Sequence, residues 1–335
     1  MTAKHGFTDN FNPKAAKQTQ DWAHNAKLLC CRVDPTGRFV VAGGLDYAVQ
    51  RWEIASGTKT TLTGHDNWVR TLGFSPDGTV LYSGGYDGQL IAWGIQAESP
   101  AIVHRLKAHQ GWLRGLAVSG DGLRVATCGN DRLVKIWNTA DGQLIRELTG
   151  HPSIPYCVHF VPGSHELVSG DITGNIHHWH ADNEQLLRKL DATEIHNLIG
   201  DLAPFGGIIS LAFSPDGKRL TASGLHKTSN APAGNRRAVA LSFNWASGEK
   251  LPKQESIKKE IDSTMWRAQY HSGGTLLGIV EKEIGFWNQG EEDAFHLITT
   301  TSDIFDFDLH PNQLDLYTAH FDGHVRCHNL AAQPA

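Results

Sequence analysis

A unit of about forty residues recurs along this chain, and that recurrence limits the fold more than any other feature. The unit is clearest at residues 64–93, GHDNWVRTLGFSPDGTVLYSGGYDGQLIAW. A Gly-His entry leads into an apolar run, VRTLGF. Ser75-Pro76-Asp77-Gly78 is a tight turn, with Pro supplying a fixed φ and Gly a permissive one. TVLYSGG reads as a second strand, Tyr86-Asp87-Gly88 as the next turn, and QLIAW as a third strand. A fourth strand is expected near Ala101–Lys107. Four short strands per unit describe a propeller blade. One blade cannot bury both of its faces, so each needs neighbours.

The first turn recurs at Asp34-Pro35-Thr36-Gly37, Ser119-Gly120-Asp121-Gly122, Val161-Pro162-Gly163-Ser164, Ser214-Pro215-Asp216-Gly217, His271-Ser272-Gly273-Gly274 and His310-Pro311-Asn312-Gln313. With the first example these make seven units. The aromatic that ends the third strand recurs at Trp52, Trp93, Trp137, Trp179, Phe243 and Trp287, with His328 in the seventh. The entry histidine recurs at His24, His65, His109 and His151, then stops. The expected fold is all-β: one seven-bladed β-propeller of four-stranded antiparallel blades.

The Gly-His entry, the Asp of the second turn and the Trp closing the third strand resemble the WD-repeat (WD-40) β-propeller family, and the resemblance covers nearly the whole chain. It implies a buried hydrogen-bonded set in blade two, His65, Ser83, Asp87 and Trp93, and another in blade three, His109, Thr127, Asp131 and Trp137. A buried His and a Trp N–H need partners, which a hydroxyl and a carboxylate supply. Blade four keeps His151, Ser169 and Trp179, with Thr173 in the Asp position. Blade one keeps His24, Asp46 and Trp52, with Ala42 in place of the hydroxyl. Blades five to seven lack most of the set, although Thr318 and Asp322 remain in the last. The family usually binds partner peptides on the face that carries the entry segments and second turns, the top face.

Ring closure can also be read from spacing. Residues 17–22, KQTQDW, stand where an outer strand belongs, yet no first three strands precede them. The seventh unit ends without a fourth strand. Pairing the two closes the ring and removes two bare sheet edges. Blades are expected near 24–64, 65–108, 109–150, 151–200, 201–258, 259–300, and 301–330 joined by 15–23. Residues 1–14 are polar and read as a flexible segment.

Composition excludes more than it selects. The 335 residues carry a net charge of −5, which gives no general reason to expect nucleic acid or an anionic membrane as a direct ligand. No apolar run reaches the roughly 18 residues that span a bilayer, and the N-terminus has no apolar secretory core. Cys30, Cys31, Cys128, Cys157 and Cys327 are odd in number and show no CxxC spacing. They read as buried, reduced thiols of a cytoplasmic protein.

A binding face follows from position within the repeat. Residues three and five after the entry histidine stand where the inner strand begins: Trp68 and Arg70, Trp112 and Arg114, Ile154 and Tyr156, Lys27 and Leu29. Alignment by the turn adds Thr264 and Trp266, then Asp303 and Phe305. The residue before the second-turn Asp, or its counterpart, faces the same rim: Leu45, Tyr86, Asn130, Ile172 and Phe321. Trp68, Tyr86, Trp112, Tyr156, Trp266, Phe305 and Phe321 are therefore expected to ring one channel mouth, with Arg70 and Arg114 beside them. Trp, Tyr and Arg dominate interface hot spots, and such a rim suits an extended peptide. The bland alternative is that several of them pack beneath loops. Long links at residues 189–206 and 250–263, and a long second turn at 225–237, belong to the same face.

Other signals point to structure. In the cluster His177, His178 and His180, His178 and His180 share one strand face and could form a metal pair, but the sequence offers no third ligand. Residues 303–308 hold three carboxylates, Asp303, Asp306 and Asp308; Asp306 and Asp308 share one face of a strand, so their nearness follows from spacing. The basic pairs His226-Lys227, Arg236-Arg237 and Lys258-Lys259 are local, and no GxxxxGK[ST], GxSxG or HExxH occurs. The sequence is read as a non-catalytic scaffold that binds a protein or peptide, without cofactor or metal. The rivals are an enzyme or small-ligand binder using the channel mouth, and a subunit of a nucleic-acid-associated complex.

Overall fold

The computed structural model describes residues 10–197, 205–226, 237–252, 254–255 and 264–332. Most of the long second turn at 225–237, parts of both long links, and the basic residues Lys227, Arg236, Lys258 and Lys259 lie outside the described residues.

Each first turn forms the same short hydrogen-bonded loop. In blade two Gly78 N–H donates to the Ser75 carbonyl at 2.8 Å, and Ser75 Oγ donates to Asp77 at 2.6 Å. Gly78 takes a φ of +71°, where a side chain would be strained. The same backbone bond links Gly37 to Asp34, Gly122 to Ser119, Gly217 to Ser214, Gly274 to His271 and Gln313 to His310. Among the described residues these turns fix seven antiparallel sheets, six of four strands and one of five. Blade two contains Val69–Phe74, Val80–Gly85, Gln89–Gly94 and Ala101–Lys107. Blade five gains a two-residue strand, His196–Asn197, which pairs with the extended start of its inner strand Phe205–Phe213.

Burial grades outward through each blade. The second strand of blade one, Phe39–Gly44, is buried throughout, while the outer strand Ala101–Lys107 of blade two is mostly exposed. The reason is the stacking of blades. One core cluster joins Val41 and Val49 of blade one to Val69, Leu72, Ile91 and Trp93 of blade two. The core is thus a ring of layers between blades.

The ring closes as the spacing predicts. Lys17–Ala23 adds antiparallel to His324–Asn329, from Lys17 opposite Asn329 to Ala23 opposite His324. Trp22 then stacks on Trp52 of blade one (6.4 Å, 10°) and on Tyr317 of blade seven (6.0 Å, 12°), so one ring clamps the first blade to the last. The described part of the segment read as flexible is held down. Asn12 N–H donates to Leu330, Ala332 N–H donates to Asn10, and Phe11 stacks on His271 at 3.9 Å. Phe11 packs against the core of blades six and seven, a contact that its polar surroundings in the sequence conceal.

Candidate functional site

A β-bulge shapes the top face. In all seven blades the pairing of the first two strands slips by one residue near the start of the inner strand. The skipped residues are Leu29, Arg70, Arg114, Tyr156, Ile209, Trp266 and Phe305. A bulge re-aims a side chain, and six of these seven line the mouth of the central channel, which encloses about 520 Å³. The other rim positions are bonded to one another. The second-turn N–H donates to the carbonyl before the inner strand in five blades: Leu45 to Lys27, Tyr86 to Trp68, Asn130 to Trp112, Ile172 to Ile154 and Phe321 to Asp303.

The aromatic residues form two arcs instead of one ring. In the first, Trp68 lies 5.7 Å from Tyr86, which stacks on Trp112 at 4.3 Å and 5°. Trp68 and Trp112 remain 40% and 41% exposed. Arg114 lies beneath this arc. It is buried, with its guanidinium 4.4 Å from the Trp112 and Tyr156 ring centres and 5.1 Å from Tyr86. Its Nε donates to Asn130 at 2.8 Å and Nη1 to the Tyr86 hydroxyl at 3.0 Å. Burial pushes the Tyr156 phenol up, while the charges of Arg114 and Arg70 act on it in the opposite sense. In the second arc Trp266, Phe305 and Phe321 follow at 5.8 and 5.6 Å, and the Lys27 ammonium sits 3.6 Å over the Phe321 ring. Trp266, Phe305, Tyr86, Tyr156 and Arg70 are half-buried; Phe321 is exposed. Sequence reasoning missed Tyr47, the most exposed aromatic of the rim region at 45%. It follows the second-turn Asp46 at a φ of +67°, a position filled by Gly88 in blade two.

Beneath the rim lie hydrogen-bonded relays. In blade two Trp93 Nε1 donates to Ser83 Oγ at 2.9 Å, so Ser83 donates to His65 Nε2 at 2.8 Å. The remaining ring proton, on Nδ1, then goes to Asp87 at 2.9 Å. Asp87 also accepts the Asp66 and Gln89 backbone N–H groups. Burial opposes its ionisation, but these bonds and His65 outweigh burial and hold the carboxyl below its usual range. Blade three repeats the relay with Trp137, Thr127, His109 and Asp131. Gly85 makes room for it: a Cβ there would come within 2.7 Å of both His65 Nδ1 and the Asp87 carboxylate. His65→Ala or Asp87→Ala is expected to lower stability by about 1–3 kcal/mol, because a buried partner is left unpaired. Urea melts matching wild type would refute the relay.

Blade four corrects the sequence assignment. Thr173 does not take the Asp role. Asp171, two residues earlier, accepts from His151 Nδ1 at 3.2 Å, while Ser169 bridges His151 and Trp179. Asp171 ends its strand where blade two has Gly85. Blade seven uses the same position differently. His320 meets the Thr318 hydroxyl at 2.8 Å through Nε2 and the Ser302 carbonyl through Nδ1, and Asp322 instead pairs with Arg326 at 2.7 Å. His328, in the place of the Trp, has no hydrogen-bond partner for Nε2 among the described residues.

Burial lowers both His320 and His328 to about 4. In the unfolded chain each takes a proton near pH 6.5, but in the fold only near 4. Stability is therefore full above pH 6.5 and falls as pH drops toward 4, by on the order of 2–3 kcal/mol per histidine. The melting temperature should decline across that window, and His328→Leu should flatten part of the decline. A flat profile in wild type would count against it.

The deeper channel holds charge in pairs. Asp306 accepts the Cys31 N–H at 3.1 Å, bonds Arg32 at 2.7 Å and faces Arg267 at 3.2 Å. Asp308 accepts the Val33 N–H and lies 3.9 Å from Arg267. These contacts tie blade seven to blades one and six. The histidine run diverges. His177 stacks on His151 at 4.0 Å, while His178 bonds Glu166 at 2.8 Å. Among the described residues no three His, Cys, Asp or Glu side chains group to hold a metal. No helix among them is long and apolar enough to cross a membrane.

Fold and repeats together define a WD-repeat β-propeller. The family described as "WD domain, G-beta repeat" matches residues 17–53, 57–94, 101–138 and 142–180, the first four repeats. The chain is also similar to an uncharacterized WD repeat-containing protein of Schizosaccharomyces pombe, 26% identical over 155 residues, 43% of this chain and 42% of that protein. Protein groucho of Drosophila melanogaster is 24% identical over 185 residues, 53% of this chain and 25% of its own length. The chain spans less than half of either relative.

Proposed function

We propose that this propeller is a non-catalytic scaffold that binds a partner protein or peptide across its top face. The observation that carries the reading is the first arc: two tryptophans, each about two-fifths exposed, Trp112 flat against Tyr86 and Trp68 tilted beside it, over a buried arginine. Large aromatic side chains with low conformational freedom and exposed faces suit binding anchors. WD-repeat propellers commonly serve as interaction scaffolds, which supports the same reading. Trp266, Phe305 and Phe321 offer a second anchor, with Tyr156 and Arg70 lining the same mouth. Five buried free cysteines fit a reducing compartment, and we place the protein in the cytoplasm.

A small-ligand role has the channel in its favour. Its Arg32, Arg267, Asp306 and Asp308 are engaged with each other and with the blade junctions, which leaves them little freedom for chemistry.

The test is affinity capture from native cell extract with wild type and the Trp68→Ala/Trp112→Ala variant. Both indoles are exposed enough that the variant should melt within a few degrees of wild type. Partners retained by wild type and lost by the folded variant are the expected result. Identical partners on both would move the site elsewhere.

A further inference from the structure

We propose that the partner segment carries an aspartate or glutamate side chain that docks against Arg70 and Arg114 at the channel mouth, with an adjoining apolar residue lying on Trp68, Tyr86 and Trp112. This inference rests on the protein-binding reading above.

Charge at the channel mouth selects the ligand. The channel is lined by four arginines, Arg32, Arg70, Arg114 and Arg267, and by two carboxylates, Asp306 and Asp308. Arg32 and Arg267 engage both carboxylates, leaving none for the other two cations. Arg114 is only 8% exposed, yet its hydrogen-bond acceptors, Asn130 and the Tyr86 hydroxyl, are neutral. Arg70 is half-buried on the neighbouring blade, at the same bulge position, and has no hydrogen bond or ion pair among the described residues. Two partly desolvated guanidinium groups without a counter-charge among the described residues form a costly arrangement that an incoming carboxylate relieves. Guanidinium also matches a carboxylate in two-pronged geometry.

The neighbouring surface sets the size of the anion. Asp66 is exposed beside the first arc, and Asp322 on the same rim is paired to Arg326. A polyanion laid across the mouth would meet this negative charge, whereas a single carboxylate between the bulge arginines would not. The three flat rings alongside supply an apolar bed for the residue next to it.

The experiment is selection of a random linear heptapeptide library, displayed on phage, against the wild-type protein. Recovered peptides are then synthesised with their acidic residue intact or replaced by its amide. The peptides are expected to share one acidic residue beside an aromatic or aliphatic one. Amide replacement should weaken binding about tenfold on wild type and hardly at all on Arg70→Gln. Arg70 makes no hydrogen bond or ion pair among the described residues, so this variant should melt like wild type. If the peptides lose binding on Trp68→Ala but tolerate the amide, or lose equally on Arg70→Gln, the carboxylate inference is overturned and the protein-binding reading stands. If no peptide binds, or none is affected by Trp68→Ala, both fall.

Discussion

Replacing Asp306 with alanine is expected to lower the unfolding free energy by about 3–5 kcal/mol. Asp306 is 5% exposed and reaches three blades: its own, Arg32 and the Cys31 amide of blade one, and Arg267 of blade six. Truncation leaves Arg32 without its close carboxylate, and Arg267 with only the distant Asp308. The loss should exceed that of the double variant Asp306→Leu/Arg32→Met, since removing a buried pair together spares the stranded charge. Urea melts of both variants decide the matter. A cost below about 1 kcal/mol for Asp306→Ala would mean that water already solvates the pair.

The second large effect is expected from deleting residues 1–23. The deletion removes the outer strand of blade seven, strips hydrogen-bond partners from His324–Asn329, and takes away the Trp22 ring that lies between Trp52 and Tyr317. Loss of a half-buried tryptophan alone is worth about 2–3 kcal/mol, and the ladder adds to it. The truncated chain should lose its cooperative melting transition or show it at least about 10 °C lower, given a few degrees per kcal/mol for a chain of this size. A synthetic peptide of residues 10–24 added in excess should restore it, because the edge it fits remains. An unchanged melt would sink the closure argument.

The seven-fold repeat and the closure are legible in the sequence because both depend on spacing. Turns fixed by Gly and Pro repeat at nearly constant intervals, and a strand missing at one end matches a strand surplus at the other. The rim residues are legible for a similar reason: position within the unit determines which side chain stands at the bulge. What local reading misses is substitution within a set. Asp171 and His320 stand where a glycine normally admits the entry histidine, and they restore the hydrogen bonds from a new origin. Only the strand register shows that these positions correspond. Tyr47 escapes for the opposite reason, as a bulky residue at a turn position where a glycine is expected. The division of the aromatics into two arcs depends on distances between blades, which a linear sequence does not contain.

The closing strand also sets a clock on synthesis. Thr19 is made 308 residues before its partner Cys327. At about 5–20 residues per second, the first strand waits roughly 15–60 s for its sheet. Through that interval six blades can stack, but the first exposes the flank meant for the seventh. Chaperone dependence should accordingly track how long the nascent chain stays unclosed, and slowing translation of the codons for residues 301–323 should raise the yield of aggregate.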